Sequence, residues 1–112
     1  SLGRSRRAFE LTLLFTTERK QFGKKISQFQ GVSFQLADMI TEIDAADLIT
    51  LYAASKLDNK IPANREIESA RLYATEMLAR VTDTFIQLHS GMGLMSDLPF
   101  ERFWKDARIE RI

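Results

Sequence analysis

The chain has 112 residues, of which 45% are apolar and 28% charged, a composition typical of one globular domain with a modest core. A net charge of +1 gives no reason to expect a nucleic acid partner, and no apolar run approaches the ~18 residues that span a bilayer. The chain has no cysteine, which excludes disulfide and thiolate chemistry. We therefore expect a cytoplasmic protein, or one of the mitochondrial matrix if a transit segment has been lost.

The first predicted helix runs from about Leu2 to Arg19, where apolar residues recur at helical spacing. Its inward stripe is predicted to consist of Ala8, Leu11, Leu14 and Phe15. Phe9 and Leu13 form a second apolar stripe beside the first, and a surface this wide predicts more than one packing neighbour. A loop is expected from Gln21 to Lys25, and no segment of the chain shows a convincing strand pattern.

The second predicted helix begins at Ser27, because Ser27 and Gln30 have the spacing of a capping box, in which two side chains satisfy exposed amides of the first turn. It runs to about Leu57, and residues 58–62 are typical of a turn. Its apolar seam is predicted to be Phe29, Val32, Leu36, Met39, Ile43, Ala46 and Thr50, widened by Ile40, Ile49 and Leu57.

The third predicted helix ends near Gly91 or Gly93, since glycine readily adopts the left-handed conformation that terminates helices. Its seam is predicted to be Ile67, Ala70, Ala74, Met77, Val81, Thr84 and Leu88, supported by Leu78 and Phe85. The fourth helix is expected to start near residues 96–99, because proline is well tolerated in a first helical turn. Its inward side chains are predicted to be Phe100, Phe103, Trp104 and Ala107.

These elements predict an all-α fold, an up-down-up-down four-helix bundle formed by one domain over residues 1–112. The two long helices are joined by a short turn and should pack antiparallel. The chain begins inside a helical pattern and ends at Ile112 without a capping residue. We therefore expect a fragment of a longer protein.

Three local clusters are candidate binding segments. Residues 19–23 combine a guanidinium, which can bind a pyrophosphate through two parallel hydrogen bonds, with a Phe ring, which can lie against a planar base. Residues 87–93 offer glycines, which allow close backbone approach, and a Gln that both donates and accepts. Residues 103–109 form an amphipathic, aromatic segment more typical of a core. An ordinary basic loop explains the first segment equally well, and a plain helix end is the simpler interpretation of the second.

The charge distribution and the titratable groups give weaker evidence for a binding site. The first 25 residues hold seven bases and two acids, which fits either a phosphate-bearing ligand or a solvated helix face. His89 is the single histidine and has no Cys, second His or spaced carboxylates with which to bind a metal, so a structural role is its simplest interpretation. The neighbouring acids Glu42, Asp44 and Asp47 are typical of a solvated helix face.

In order and spacing, these clusters resemble the carboxy-terminal helical domain of the acyl-CoA dehydrogenase family. That family has an Arg-x-x-Phe-Gly loop after its first bundle helix and a Gln at the start of the next, here Arg19, Phe22, Gly23 and Gln30. It has a Gln-x-x-Gly-Gly-x-Gly segment at the end of the third helix, here residues 87–93, and an Asp-Ala-Arg-Ile-like stretch in the last, here residues 106–109. Residues 29–39 are also similar to the family, so the resemblance covers nearly the whole chain.

The resemblance implies an FAD-dependent oxidoreductase, in which this bundle binds the cofactor and joins subunits into a homotetramer or homodimer. The implied cofactor-binding residues are Arg19, Phe22, Gln30, Gln87, Leu88, His89, Ser90 and Gly91. Arg19 would contact the pyrophosphate, Phe22 would lie near the adenine, and residues 87–91 would line the ADP portion. The sequence departs from the family at Ser90, where Gly is usual, and at Lys105, where Arg is common.

The family reaction oxidises an acyl-CoA thioester to the 2,3-enoyl-CoA, with a Glu carboxylate as the base. In the family this Glu lies two positions past Ile112 or before Ser1, so the resemblance implies no catalytic residue within this chain. Glu110 is close in sequence but out of phase. We expect the chain alone to be inactive and to bind FAD weakly or not at all. Two alternatives stay open: the same fold in a flavin-dependent monooxygenase or oxidase, and a stand-alone helical interaction module without a ligand.

Overall fold

The computed structural model describes residues 1–95 and 99–112. Its helices in those ranges are α1 (Leu2–Glu18), α2 (Gln30–Asp58), α3 (Asn64–Leu88) and α4 (Phe100–Glu110). They form an up-down-up-down bundle in which α3 packs against each of the other three. The predicted all-α fold is confirmed. Within the same ranges, no helix is both long and apolar enough to cross a membrane.

The core lies among the four helices, and the predicted seams of α2 and α3 contribute most of it. Its buried members are Ala8, Leu36, Met39, Ile43, Ala46, Met77, Val81, Phe85, Leu88 and Phe100. Burying one large apolar side chain contributes about 1.5–3 kcal/mol. Two predicted seam residues are exposed instead: Leu57 by 55% and Ile67 by 39%. They lie beside the α2–α3 connection, where the 29- and 25-residue helices extend beyond the 17 residues of α1 and the 11 of α4.

The buried face of α1 differs from the prediction. Its fully buried residues are Ser5, Ala8, Thr12 and Thr16, whereas Leu14, which was predicted to face inward, is 55% exposed. The hydroxyls of Thr12 and Thr16 donate to the carbonyls one turn earlier, of Ala8 and Thr12, both at 2.8 Å. Because these bonds satisfy the buried hydroxyls, small polar residues can occupy the helix contact at little cost.

Two local predictions between α1 and α2 were wrong. A short antiparallel hairpin replaces the predicted loop, with strands β1 (Lys20–Gln21) and β2 (Lys24–Lys25). The capping box does not form: residues 26–28 make a single 3₁₀ turn, and α2 starts at Gln30 with no side-chain cap bond. A two-residue turn closes the hairpin, and strands this short leave almost no alternation in the sequence from which to predict them.

The end of α3 also differs. The helix ends at Leu88, a 3₁₀ segment covers residues 90–94, and Ser90, not a glycine, has the positive φ of 53°. Helix α4 begins at Phe100 with Pro99 as its N-cap residue, and the predicted start over residues 96–98 lies outside the described residues. Phe100 and Ala107 are buried as predicted. Trp104 is 41% exposed because it lies at the edge of the inward stripe.

Candidate functional site

An open cleft of about 340 Å³ lies where the α1–α2 connection meets the end of α3. The up-down arrangement places the carboxyl ends of α1 and α3 at the same end of the bundle, which brings together segments about 70 residues apart in sequence. Its lining residues are Phe15, Arg19, Gln21, Ile26, His89, Ser90, Gly91 and Met92. This volume falls at the lower end of the range for small-molecule sites.

Arg19 is held by its backbone and exposes its side chain. It is the C-cap residue of α1: its N–H donates to the Phe15 carbonyl at 2.9 Å, and its own carbonyl accepts from the Ile26 N–H at 2.9 Å. In the part of the chain that the structure describes, no carboxylate forms an ion pair with its guanidinium. Its fixed backbone and unneutralised charge make Arg19 suited to an anionic ligand.

The hairpin turn next to Arg19 is strained. Phe22 and Gly23 have φ of 53° and 80°, as a two-residue turn with positive φ at both positions requires. For a bulky residue such as Phe this conformation costs on the order of 1–3 kcal/mol. The Phe22 side chain is also 93% exposed, with its ring centroid 6.4 Å from that of Phe29. The Lys24 ammonium lies 4.3 Å from the Phe29 ring centroid, so the hairpin is both cationic and aromatic.

Backbone geometry shapes the opposite wall of the cleft. A Cβ on Gly93 would lie 2.5 Å from the Ile86 carbonyl oxygen, so only glycine lets this segment fold back onto the last turn of α3. Ser90 occupies the left-handed region at the point where the chain turns away from the helix. The position at which the family usually has Gly is therefore one that needs a left-handed conformation, which Ser adopts at a cost of ~1–2 kcal/mol.

His89 lines the cleft and is itself buried among aromatic rings. Its ring lies 4.4 Å from Phe15, 4.8 Å from Phe85 and 4.4 Å from Phe100, measured between centroids. Its Nδ1 is 2.7 Å from the Phe85 carbonyl oxygen. Burial lowers the pKa of His89 below its ordinary value of 6.5, despite the opposing effect of the hydrogen bond to Phe85. The ring is therefore neutral at pH 7 and serves as a structural contact between helices.

The structure brings four of the eight predicted site residues into the cleft: Arg19, His89, Ser90 and Gly91. The other four lie around it. The ring of Phe22 is at the hairpin tip, Gln30 and Gln87 are exposed on α2 and α3, and the Leu88 side chain belongs to the core. Of the other four lining residues, Gln21 and Met92 lie within the candidate segments 19–23 and 87–93, and the prediction missed Phe15 and Ile26. Phe15, which precedes Arg19 by one helical turn, was the one that spacing alone could have identified.

A second groove, of about 270 Å³, lies between α3 and α4 beside Trp104. Two of its three arginines are neutralised: Arg80 pairs with Glu42 at 2.8 Å and Arg111 with Glu76 at 2.9 Å. This groove is therefore less suited to an anion than the Arg19 cleft. Among residues 1–95 and 99–112, no three His, Cys, Asp or Glu side chains are grouped so that they could hold a metal ion.

Known proteins match this chain along its whole length. The family model for the acyl-CoA dehydrogenase C-terminal domain matches residues 1–112. The probable acyl-CoA dehydrogenase YngJ of Bacillus subtilis is 40% identical over 112 residues, which make up 100% of this chain and 30% of that protein. The structure of butyryl-CoA dehydrogenase from Megasphaera elsdenii superposes with a TM-score of 0.95 at 33% identity, over 99% of this chain and 29% of that one.

A structure of PigA with FAD and proline superposes with a TM-score of 0.97 at 30% identity, over 99% of this chain and 29% of that chain. This chain thus spans about three tenths of the length of the curated relatives that it matches. Because a family model covers every residue and several relatives exceed 30% identity, the chain belongs to the acyl-CoA dehydrogenase family of flavoprotein oxidoreductases, in which it corresponds to the carboxy-terminal helical domain.

Proposed function

We propose that this chain is the cofactor-binding and oligomerisation bundle of a longer FAD-dependent enzyme that oxidises an acyl-CoA thioester to the 2,3-enoyl-CoA. The observation that carries the proposal is the shared cleft of Arg19 and residues 89–91, because it joins the two sequence segments that the family resemblance links to FAD. The relatives that match the chain along its whole length include probable acyl-CoA dehydrogenases.

The residues at the cleft fit the ADP half of FAD. Arg19 supplies an unneutralised guanidinium for the pyrophosphate, and Phe22 supplies an exposed ring for the adenine. Gln30 and Gln87 are exposed and free to donate or accept hydrogen bonds at the margins. FAD, when bound, supplies the acceptor for a hydride from the acyl chain, while the protein provides binding and orientation.

The base that removes the α-proton is proposed to come from outside this chain. Glu110 is the one carboxylate that lies near the expected position in sequence, and its oxygens are occupied by Arg4 and by the Ser1 hydroxyl. A carboxylate held in an ion pair is a poor proton acceptor, since the pairing favours its charged form. We therefore expect no dehydrogenation by this chain alone.

We also propose that the bundle joins subunits into a homotetramer or homodimer. Leu13 and Leu14 on α1 are 42% and 55% exposed, and α2 exposes Phe34, Leu48 and Leu51. Apolar surface of this extent is typical of residues that a partner covers. Size-exclusion chromatography with light scattering of the full-length protein would test this, and a monomer would contradict it.

Replacing Arg19 by Ala in the full-length protein tests the proposed function. A hydrogen bond to a charged group contributes ~1.5–3 kcal/mol, so we expect the Kd for FAD to rise by about 10- to 150-fold, measured by flavin fluorescence. Arg71→Ala is the matched control, because Arg71 is an exposed α3 arginine about 16 residues before Gln87, or ~24 Å along the helix. Equal FAD retention by the Arg19 variant, the Arg71 variant and the parent would contradict the proposal.

A further inference from the structure

His89 lies where three helices and both walls of the cleft meet. It is the C-cap residue of α3, stacks on Phe15 of α1 and contacts Phe100 of α4. Phe15 in turn accepts the backbone N–H of Arg19 at 2.9 Å. One ring therefore links the position of Arg19 to the position of residues 90 and 91, so that moving or removing His89 changes the width of the cleft.

The hydrogen bond of His89 determines its tautomer. A carbonyl oxygen only accepts, so the 2.7 Å contact with Phe85 requires the proton on Nδ1. In the neutral ring, Nε2 is then an acceptor. This bond also satisfies a carbonyl at the end of α3, where the His89 N–H bonds to Ile86 instead of Phe85.

The other ring nitrogen, Nε2, has no hydrogen-bond partner among the described residues. Over the described residues, no fully buried side-chain nitrogen or oxygen lacks a hydrogen-bond partner, and the bond from Nδ1 to Phe85 is the side-chain hydrogen bond of His89 there. Nε2 must therefore retain access to open space, and His89 is one of the residues that line the cleft. The cleft is thus lined by a cationic residue, Arg19, and by His89, whose neutral ring has one acceptor without a protein partner among the described residues.

We propose that His89 is a positioning residue that holds the two walls of the cleft at a fixed spacing and accepts, at Nε2, a hydrogen bond from a ribose hydroxyl of the bound nucleotide. This inference rests on the proposed function, since FAD contains a pyrophosphate directly bonded to a ribose. The pyrophosphate matches the Arg19 guanidinium, and the neighbouring ribose hydroxyls match the neutral acceptor of His89. The cleft therefore favours a nucleotide over a simple phosphate or carboxylate.

The surroundings of His89 keep this acceptor available at neutral pH. Among the described residues, Arg19 is the charged side chain that lines the cleft with it, while α3 and α4 contribute the rings of Phe85 and Phe100. The segment after α3 contributes neutral residues only, Ser90 to Met92. Burial among these rings lowers the pKa of His89, although the hydrogen bond to Phe85 opposes this, so Nε2 loses its acceptor role only below pH 6.5.

The first test is spectroscopic and observes the His89 ring before and after FAD is added. The full-length protein is labelled with [15N]histidine, and the ring signals that disappear in His89→Gln are those of His89. We expect two-bond ¹H–¹⁵N correlations to show Nδ1 protonated and Nε2 unprotonated at pH 7.5, with the Nε2 signal shifting when FAD is added. An Nε2-protonated tautomer, or an Nε2 signal that FAD does not shift, would overturn the inference.

The second test compares two variants of the full-length protein. His89→Phe keeps a ring among the three Phe rings and removes the acceptor, so we expect FAD affinity to fall about threefold to tenfold at pH 7.5. His89→Gln retains an acceptor and cannot titrate, so it should bind within about threefold of the parent. As the pH falls from 7.5 through the lowered pKa of His89, the parent should lose affinity relative to His89→Gln, because only the parent gains a proton at this position.

Three outcomes separate the two proposals. Unaltered affinity and pH profile in His89→Phe, in a protein whose FAD binding depends on Arg19, would overturn the role of His89 and leave the proposed function intact. If the parent protein binds no FAD, both the proposed function and the role of His89 are contradicted. An FAD analogue with inosine in place of adenosine keeps the ribose, so its binding should show the same dependence on His89; loss of that dependence would overturn the assignment to a ribose hydroxyl.

Discussion

The α2–α3 connection and the cleft end of the bundle contain the same backbone irregularity, a non-glycine residue with positive φ. At the connection, Lys60 has φ of 56°, and the N–H groups of Lys60 and Ile61 satisfy the carbonyls of Leu57 and Lys56. The nearby Lys56 ammonium pairs with Glu66 at 2.8 Å. Here the left-handed residue closes a helix end and the neighbouring charges are neutralised within the chain.

At the cleft end, the same conformation occurs at Phe22 and Ser90, but there the neighbouring groups are exposed and unpaired. The ring of Phe22 is exposed, and the charge of Arg19 has no carboxylate partner in the described part of the chain. The positive φ at Lys60 therefore helps to end a helix, whereas the positive φ at Phe22 and Ser90 occurs where side chains are exposed at the cleft end of the bundle. Strained backbone together with unpaired functional groups is the combination expected at a binding site.

The largest effect should come from Gly93→Ala. Its Cβ would lie 2.5 Å from the Ile86 carbonyl, which is backbone and cannot move aside, so we expect the free energy of unfolding to fall by about 2–3 kcal/mol in urea denaturation. Gly91→Ala is the matched control, with no heavy atom within 4 Å of its Cβ and a change within about 0.5 kcal/mol. Equal destabilisation by the two substitutions would contradict the close approach of residue 93 to α3.

An intermediate effect is expected from removing strain. Ser90→Gly and Lys60→Gly should each raise the free energy of unfolding by about 1 kcal/mol, because glycine adopts positive φ without a Cβ clash. Thermal or urea unfolding measures both. If the cleft and the connection differ as described, Ser90→Gly should also change FAD affinity, whereas Lys60→Gly should not. A change in FAD affinity caused by Lys60→Gly would contradict this difference between the cleft and the connection.

The smallest effect concerns the pair at the connection. The hydrogen bond from Lys56 lowers the pKa of Glu66 below its ordinary 4.5, so this carboxylate stabilises the fold above that value and the contribution is lost as the pH falls through the lowered pKa. Glu66→Gln should remove that dependence. We expect the stability difference between parent and Glu66→Gln to be present at pH 6 and to be lost as the pH falls through the lowered pKa of Glu66. A difference that grows on acidification would contradict the pairing.

Periodicity in the sequence was sufficient for the seams of α2 and α3 except at Leu57 and Ile67, because large apolar residues at steps of three and four can be buried on only one face. It failed for α1. There the helix contact uses Ser5, Thr12 and Thr16, whose hydroxyls bond to their own helix, and the larger Leu13 and Leu14 stay exposed. Small residues carry little weight in a hydrophobic pattern even when they form the buried face of a helix.

The sequence by itself determined the helical fold, the connection after residue 58 and the two segments that contain the site, since each depends on local spacing and turn chemistry. Only the tertiary structure decided that Arg19 and residues 89–91 share one cleft, that His89 contacts three helices, and that Ser90 has positive φ. These features arise from contacts between residues about 70 positions apart and from backbone torsions. No pattern within a single helix specifies either of them.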